Sequence, residues 1–380
     1  MDKSILIYYG NYYKFNGEIY GFLPEVILIT GLLTTFKKVT LLAPLKEVQS
    51  IQEINPLYVR FENNEVHIKE LPFFNSRLEA LRKSITLNKN LKDIKADYAI
   101  VSQVMFNSMQ VARLLKSNGV KVNIYIGSNP LEILKSKNLN RNWLFNQIGI
   151  LYYKQLIIQS NKYKCLVNGE KLYNQVQIKN KHIVNSSTLY ASDAISEHVS
   201  TNNNKLLFVG RLTPSKRVEL LIEMIKILKT DFENISLIII GEGDLKTKLK
   251  DLVFSYDLND NVKFLGAITK REQLHNEYKS SKLFVFPSIS EGNPRVIKEA
   301  TFFNLPSIST RVGNLENEYK DGQDILFVDF ENANQLAEKI KLLLNDDRLY
   351  SAIKNELAKH KINTVEDFIE EITKIICKEE

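Results

Sequence analysis

The chain has 380 residues, of which 44% are hydrophobic and 25% are charged, and its formal net charge is +7. This length suits two domains, and the composition excludes a largely disordered protein. The only cysteines, Cys165 and Cys377, lie far apart and have neither zinc-ligand spacing nor a disulfide framework, so a reducing cytoplasm is expected. No apolar run approaches the roughly eighteen residues of a membrane span.

The net positive charge comes entirely from the first half of the chain. Residues 1–199 hold 25 Lys and Arg against 15 Asp and Glu, whereas residues 200–380 hold 26 against 29. This asymmetry favours an anionic partner for the first half, which would be a phospholipid surface, a phosphorylated acceptor or a nucleic acid. A solvated lysine-rich face explains the same charge.

The first half alternates predicted strands with predicted helices. Short, continuous apolar runs predict buried parallel strands, with helices on both faces of the sheet. Ligands of such sheets bind at the carboxyl ends of the strands, and residues 10–21, which include Gly17, are predicted to form a loop at that edge. The strands are predicted at residues 4–9, 38–42, 98–102 and 120–126, and the helices at 23–33 and 105–116.

Residues 131–164 combine aromatic and basic side chains, among them Trp143, Phe145, Lys154 and Lys162. On a pair of helices, this mixture is typical of a peripheral contact with an anionic membrane surface. Core packing beneath a solvated basic face would produce the same pattern. The polar residues 191–204 that follow are predicted to be a linker.

The alternation restarts after the linker and predicts a second doubly wound domain. Two such domains joined by one linker predict a deep cleft that encloses a two-part ligand. An amphipathic stretch at residues 365–376 follows this domain. The strands of the second domain are predicted at 205–210, 235–240, 262–266, 283–286 and 306–309, and its helices at 218–229, 245–254, 273–279 and around Glu299.

A basic loop follows the first strand of the second domain. Gly210 lets the backbone approach a ligand closely, and the guanidinium of Arg211 with the ammonium of Lys216 suits a diphosphate. The loop is not a Walker loop, because no Gly-Lys-Ser or Gly-Lys-Thr follows a glycine at the required spacing. Solvated loop cations are the alternative interpretation.

A second loop carries two carboxylates. Glu291 and Gly292 follow the apolar strand at 283–286, and Pro294 is predicted in the first turn of the helix that carries Glu299. The backbone N–H groups at the start of such a helix bind anions, and carboxylates beside a bound anion suit sugar hydroxyls. Solvated helix-end glutamates are the alternative.

These motifs together resemble the nucleotide-sugar domain of retaining GT-B glycosyltransferases of the family 4 type, the glycosyl transferases group 1. The resemblance covers the second half nearly continuously, and in the first half it rests on architecture. It is carried in order by Arg211 with Lys216, by Gly241-Glu242-Gly243-Asp244, by Val262-Lys263-Phe264-Leu265-Gly266, and by Glu291 with Glu299.

The resemblance implies an α/β chain with the GT-B fold, in which two Rossmann-like doubly wound domains face a deep cleft. The implied domains are an acceptor-binding domain at 1–200, a nucleotide-sugar-binding domain at 201–360, and a terminal helix at 361–380 that crosses back to the first domain. Many relatives carry a histidine at the end of the strand predicted at 120–126, where this sequence reads Tyr125-Ile126-Gly127-Ser128.

The resemblance also implies a role for each matching residue. Arg211 and Lys216 would neutralise the leaving diphosphate, and Glu291 would bind the hydroxyls of the transferred sugar, which makes these three the implied catalytic residues. Glu299 would bind the ribose hydroxyls. The other implied donor-binding positions are Gly210, the backbone near Gly292, Asn293, Arg295 and Val296, the base-binding loop at Gly266 and Ala267, and Gly17 of the first domain.

Residues and resemblance together predict a cytoplasmic, retaining hexosyl- or N-acetylhexosaminyltransferase, with a peripheral contact between 131–164 and the inner face of the cell membrane. The predicted donor is a nucleoside diphosphate sugar, with UDP favoured over GDP. The predicted acceptor is a glycan or lipid-linked glycan of bacterial surface polysaccharide synthesis. No two aspartates lie two positions apart to hold a metal-bound diphosphate, so neither a metal nor another cofactor is expected.

Three alternatives stay open. A nucleotide-sugar epimerase of the same fold would release a free sugar, and a non-catalytic partner subunit would bind the sugar nucleotide without transferring it. A basic nucleic-acid-binding protein is the third, but no groove-reading motif supports it, so no nucleic-acid partner is expected.

Overall fold

The computed structural model of this chain describes residues 2–55, 58–62, 65–128, 143–195, 204–291 and 294–378. The chain divides into two compact units. Unit 1 comprises Met1–Thr188 and Asn363–Glu380, and unit 2 comprises Leu189–Ile362. Within the described ranges, no helix has both the length and the apolar character that crossing a bilayer requires.

Unit 1 is built on one sheet whose central strands are parallel. Its order is β10-β9-β8-β7-β1-β4-β2-β3-β5, with β6 paired to β4. The continuous apolar run of β7 is buried along its whole length, as predicted for a strand covered on both faces. The strands are β1 Ser4–Tyr8, β2 Tyr12–Phe15, β3 Glu18–Phe22, β4 Lys38–Glu47, β5 Tyr58–Arg60, β6 His67–Pro72, β7 Tyr98–Ser102, β8 Lys121–Ile126, β9 Lys164–Asn168 and β10 Lys181–Val184.

The prediction of a loop at residues 10–21 is wrong, because most of this segment forms a β-hairpin. Strands β2 and β3 pair antiparallel, with Phe15 opposite Glu18. Between them, Asn16 and Gly17 both have positive φ, of 49° and 81°. Two such residues form the tight turn that matches the twist of a hairpin, for which Asn-Gly is the favoured pair. The Asn-Gly dipeptide was therefore a readable signal for this hairpin.

Helices flank the sheet of unit 1. The apolar residues of α4 that face the sheet, such as Val111 and Leu115, are buried at the expected helical spacing. The first helices of the chain are α1 Leu23–Gly31, α2 Arg77–Arg82, α3 Ser84–Leu91, α4 Ser108–Ser117, α5 Trp143–Ser160 and α6 Glu170–Gln175.

Unit 2 is a second parallel sheet, with strand order β13-β12-β11-β14-β15-β16. Strands β13 and β14 coincide with the predicted bounds, which confirms the α/β fold class of this half. The strands are β11 Lys205–Val209, β12 Ser236–Ile240, β13 Val262–Gly266, β14 Leu283–Phe286, β15 Ser307–Thr310 and β16 Leu326–Val328. The helices are α7 Val218–Leu228, α8 Lys246–Ser255, α9 Arg271–Ser280, α10 Arg295–Phe302, α11 Leu315–Glu318, α12 Ala333–Asn345 and α13 Asp347–Leu357.

The described part of the predicted linker is already structured. Ala191–Ile195 forms a 3₁₀ turn that belongs to unit 2. The backbone N–H of Tyr190 donates to Asp193 at 2.7 Å, and the guanidinium of Arg271 lies 3.3 Å from the same carboxylate. The entry into unit 2 is thereby fixed to α9.

The C-terminal helix, α14 Val365–Cys377, returns to unit 1. A reciprocal pair of hydrogen bonds between Thr364 and Asp367 caps its first turn. Its apolar face packs on α1, where Gly31 leaves room for Ile369: a Cβ atom at Gly31 would lie 2.8 Å from that side chain.

Candidate active site

The candidate site lies at the carboxyl edge of the sheet of unit 2. Strand β11 pairs with β12 on one side and with β14 on the other, so the strand order reverses between β11 and β14. In open parallel sheets, such a reversal leaves a crevice between the loops that follow the two strands. The loop after β11 carries Gly210, Arg211 and Lys216, and the loop after β14 carries Glu291.

Three glycine-containing loops form the floor of this edge. The N–H of Gly210 donates to Ile240, at 2.9 Å, and the N–H of Gly241 donates to Gly266, at 2.8 Å. Gly241 has a φ of +140°, and a Cβ atom there would fall 1.9 Å from the carbonyl oxygen of Gly210. Only glycine permits this approach. Gly241 therefore joins the loop of Gly210 to the loop of Gly266 at this edge.

The loops after β11 and β14 touch directly. The backbone carbonyl of Ser215 accepts the N–H of Ile289 at 2.9 Å and the hydroxyl of Ser288 at 3.0 Å. The ammonium of Lys216 forms an ion pair with Glu291, whose Oε1 also accepts the Ser288 hydroxyl at 3.1 Å. Two residues predicted at the site from separate motifs are thus in contact, although 75 positions separate them.

The side chain of Lys216 is largely enclosed by the protein. Its side chain is 13% exposed, and its ammonium lies 5.2 Å from the centre of the Phe286 ring. Burial and the positive charge of Arg211 lower the pKa of Lys216 to about 8, while the adjacent Glu291 carboxylate acts in the opposite direction. A cation held this way interacts strongly with an anion that reaches it, because water screens it poorly.

Binding of UDP should weaken as the pH rises through about 8, the pKa of Lys216. The ammonium is charged below this pKa and neutral above it, and only the charged form attracts a diphosphate. Dissociation constants measured by calorimetry from about pH 6 to pH 9.5 check this. The variant Lys216→Arg, which stays charged throughout, should give a flatter profile, and a flat profile for the wild-type protein would contradict the expectation.

Arg211 has a different environment from Lys216. Its side chain is exposed and makes no hydrogen bond or ion pair within the described residues. Its charge nonetheless acts on Lys216, as the lowered pKa of that lysine records. The two cations therefore share one region of the edge.

Glu299 lies on α10, the helix that follows the β14 loop. Its Oε2 accepts the hydroxyl of Tyr278 at 2.8 Å, and Tyr278 is almost fully buried against Phe284 and Phe303. Burial and the charge of Glu299 raise the pKa of Tyr278, so this phenol remains a hydrogen-bond donor at neutral pH. The tyrosine thereby positions a carboxylate that is itself only partly buried.

The start of α10 differs slightly from the prediction. Pro294 precedes the helix instead of lying in its first turn, because the helix begins at Arg295. Arg295 is exposed, whereas Val296 packs against the core of unit 2. Gly292 and Asn293 lie outside the described residues.

The remaining predicted positions divide between the two units. Gly266 ends β13, and a Cβ atom there would lie 2.9 Å from the carboxylate of Glu242, while Ala267 is half-buried beside it. Gly17 lies at the tip of the β2–β3 hairpin of unit 1, with no other atom within 4 Å of a Cβ built on it. In the described residues, no three His, Cys, Asp or Glu side chains are grouped in a way that would hold a metal ion.

Sequence reasoning missed two residues that organise the site. Ser288 joins both loops through its hydroxyl, and its position directly after a strand and its proline was a weak signal. Tyr278 carries no motif, and only the tertiary structure brings it to Glu299, 21 positions away.

Comparisons with known proteins agree with this architecture. The family description "Glycosyl transferases group 1" matches residues 192–360. Two uncharacterized glycosyltransferases of Methanocaldococcus jannaschii are 28% and 30% identical over 60% and 53% of this chain, and the matches span only 59% and 54% of those relatives. The crystal structure of Anabaena HepE in complex with UDP and glucose has a TM-score of 0.66, at 14% identity, and covers 98% of this chain and 99% of its own.

A further relative acts on a lipid-linked glycan, according to its name. The GalNAc-α-(1→4)-GalNAc-α-(1→3)-diNAcBac-PP-undecaprenol α-1,4-N-acetyl-D-galactosaminyltransferase of Campylobacter jejuni is 26% identical over 77% of this chain and 79% of its own. The two parallel α/β units and these neighbours show that the chain has the GT-B fold. The match to the glycosyl transferases group 1 family, at residues 192–360, falls within unit 2.

Proposed function

We propose that this protein is a glycosyltransferase that moves a sugar from a nucleoside diphosphate sugar to a glycan or lipid-linked glycan acceptor. The observation that carries the proposal is the contact of Lys216 with Glu291 at the strand-order reversal of unit 2, with Glu299 on the next helix. A cation for the diphosphate and two carboxylates for hydroxyls are the groups that a sugar nucleotide needs.

The donor would lie along the carboxyl edge of unit 2. Glu299 binds the ribose hydroxyls, and Gly266 and Ala267 line the place of the base. The diphosphate meets Arg211, Lys216 and the first turn of α10, whose dipole favours an anion. UDP is favoured over GDP, and the UDP and glucose bound to the HepE neighbour support this choice.

The proposed reaction breaks the bond between the anomeric carbon and the diphosphate oxygen. The oxygen of the acceptor hydroxyl forms the new bond on the face that the diphosphate leaves, so the configuration is retained, and a phosphate oxygen takes the hydroxyl proton. Lys216 and Arg211 stabilise the charge that develops on the diphosphate, a role in which preorganised cations are effective and no metal is invoked.

Donor binding would exchange the partners of Lys216. In the structure its ammonium pairs with Glu291. The diphosphate then takes the ammonium, and the released Glu291 carboxylate accepts hydrogen bonds from the transferred sugar. The ion pair thus keeps each group in place until its substrate arrives.

Glu291→Ala should lower turnover by more than it weakens donor binding. Glu291 contacts the transferred sugar and orients Lys216, whereas most donor affinity comes from the nucleotide; a loss of about tenfold or more in kcat is expected. Steady-state kinetics with separate measurement of the UDP dissociation constant check this. Equal losses in both quantities would contradict the assigned role.

The acceptor is proposed to be lipid-linked, in the synthesis of a bacterial surface polysaccharide. Relatives named for undecaprenol-linked substrates support this class. In unit 1, helix α5 exposes Ile148, Leu151 and Ile158, which are 51%, 65% and 67% exposed. Leu151 follows Ile148 by three positions and Ile158 follows Leu151 by seven, so the three residues share one helix face. Lys154 is exposed beside them.

This face, Ile148, Leu151 and Ile158 with Lys154, is proposed to rest on the cytoplasmic surface of the membrane. Exposed aliphatic side chains beside a lysine suit the boundary between headgroups and acyl chains. The remainder of the predicted contact segment, residues 131–142, lies outside the described residues, as do the side chains of Trp143 and Phe145.

The protein should therefore sediment with vesicles that contain about 30% phosphatidylglycerol, and added salt should weaken this binding. Replacing Ile148, Leu151 and Ile158 together by serine should reduce the bound fraction several-fold. Phe254→Ser is the control, because Phe254 is an even more exposed apolar residue, on α8 of unit 2. Indifference of the wild-type protein to lipid charge would exclude this contact.

Product analysis tests the proposed function itself. The protein is incubated with UDP-hexoses and UDP-N-acetylhexosamines, with and without a polyprenyl-diphosphate glycan. A glycosidic product that forms only with the acceptor supports the transferase. A free sugar epimerised at one carbon, formed without acceptor, would indicate the epimerase, and donor binding without any product would indicate the non-catalytic subunit.

A further inference from the structure

Glu25 of unit 1 is a carboxylate without a partner. It lies in the first turn of α1, and it makes no hydrogen bond or ion pair among the described residues. Its Oε2 is fully buried and unsatisfied. Buried polar atoms are normally paired, so an unpaired carboxylate oxygen in a native fold calls for a specific explanation.

The helix itself does not explain this residue. A first-turn glutamate can cap the backbone of its helix, yet the α1 terminus has no side-chain cap. The Glu25 carboxyl rests against Gly10 instead: a Cβ atom on Gly10 would lie 1.9 Å from Oε2 and 2.9 Å from Oε1. The side chain is therefore directed toward the backbone just past β1.

This position is at the carboxyl edge of the sheet of unit 1. Strand β1 pairs with β4 on one side and with β7 on the other, so the strand order of the sheet reverses between β1 and β7. Gly10 lies two residues past the end of β1. The Glu25 carboxyl thus lies where open parallel sheets bind ligands.

Aromatic side chains surround the carboxyl. Tyr12 and Tyr58 are close enough for the charge of Glu25 to raise the pKa of both phenols, after the larger effect of their burial. The Tyr12 hydroxyl is committed to the carbonyl of Tyr9, at 2.7 Å. Among the residues that the structure describes, no cation pairs with Glu25, and burial raises the pKa of its carboxyl to about 8. Near neutral pH the carboxyl can therefore both donate and accept a hydrogen bond.

A carboxyl beside half-buried aromatic rings is suited to a sugar. The hydroxyls of a pyranose hydrogen-bond to the carboxyl, and its apolar C–H face packs on a ring. The rings of Tyr13 and Tyr58 meet edge to face, with centres 5.3 Å apart, and both residues are only half-buried.

We propose that Glu25 is the hydroxyl-binding residue of an acceptor subsite in unit 1, at the carboxyl end of β1, and that this subsite takes the terminal pyranose of the acceptor glycan. This inference rests on the proposed transferase function. It assigns Glu25 to acceptor recognition and leaves donor binding to unit 2.

Glu25, whose Oε2 has no hydrogen-bond partner, and Glu371, which accepts a backbone hydrogen bond, give a matched test. Glu25→Met removes a carboxyl that has no protein partner, so the melting temperature of the protein should stay the same or rise. Glu371→Met is the control, because Glu371 is also a half-buried carboxylate of unit 1 but accepts the backbone N–H of Asn185 at 2.9 Å. Its loss should lower the melting temperature.

Binding of octyl α-glycosides of glucose, galactose and their N-acetylamino forms to the full chain is measured by saturation-transfer NMR, with UDP binding measured in parallel. Glu25→Met should weaken binding of the glycoside that the wild-type protein prefers by about tenfold or more. Binding of UDP should be unchanged in this variant, and Glu371→Met should keep both ligands.

The inference is overturned if Glu25→Met binds the glycosides as the wild-type protein does, if the wild-type protein binds none of them, or if Glu25→Met lowers the melting temperature as Glu371→Met does. Failure of the proposed function gives different results: the wild-type protein would bind neither UDP nor any nucleotide sugar, or it would bind them and give the epimerised sugar or the absence of product described above.

Discussion

Replacing Lys216 by alanine should lower kcat/KM by about 30-fold to about 1,000-fold, which corresponds to about 2–4 kcal/mol of transition-state stabilisation. The expected size follows from the enclosure of the ammonium, which is 13% exposed and lies against the Phe286 ring. A poorly screened cation stabilises the charge of a departing diphosphate more than a solvated one does. Steady-state kinetics with a UDP-sugar measure the change.

Lys205→Ala is the matched control for Lys216→Ala. Lys205 is similarly enclosed, with a side chain 14% exposed, and it pairs with Glu277 at 2.8 Å. It begins β11, however, so it lies at the amino edge of the same sheet. Its loss should affect stability and leave turnover within a few-fold. Comparable turnover losses in the two variants would remove Lys216 from the reaction.

Arg211→Ala should reduce turnover less than Lys216→Ala does. The Arg211 side chain is exposed, so water and salt screen its charge. Its removal should also raise the pKa of Lys216, because Arg211 contributes to lowering it. The decline of UDP affinity with pH should then shift to a higher pH in this variant.

Replacing Glu299 by alanine should weaken binding of UDP by about 10-fold to about 150-fold. A carboxylate that accepts hydrogen bonds from ribose hydroxyls contributes about 1.5–3 kcal/mol. Tyr278→Phe should weaken binding less, because it removes only the 2.8 Å hydrogen bond that positions the carboxylate. Calorimetric titration with UDP measures both variants.

Glu318→Ala is the control for Glu299→Ala. Glu318 is a partly buried glutamate of the same unit that pairs with Lys298 at 3.2 Å and has no assigned role at the site. The Glu318→Ala variant should bind UDP as the wild-type protein does. Unchanged UDP affinity in Glu299→Ala would remove the ribose assignment.

The sequence predicts the sheet of unit 2 well because most of its strands are short apolar runs whose residues are largely buried. Leu283–Phe286 and Val262–Gly266 were predicted with the bounds that the structure has. The edge strands of unit 1 were not predicted. His67–Pro72 mixes charged and apolar residues, and its pairing with β4 depends on a contact that no local pattern contains.

The candidate site could be predicted only in part. Its motif residues follow predicted strands, so the sequence predicts that they lie at the carboxyl edge of the sheet. The contact of Lys216 with Glu291 depends on β11 and β14 being neighbours, which is a property of topology. Glu25 is an ordinary first-turn glutamate in the sequence, and only its unpaired, buried oxygen distinguishes it.

A thermal-shift panel of nucleoside diphosphates and nucleotide sugars tests whether the edge of unit 2 that holds Lys216, Glu291 and Glu299 binds a sugar nucleotide. A ligand at 100 times its dissociation constant stabilises the fold by about 2.7 kcal/mol. A rise in melting temperature is expected with UDP and at least one UDP-sugar; it should be reduced in Glu299→Ala and retained in Glu318→Ala. Indifference of the wild-type protein to every nucleotide in the panel would contradict it.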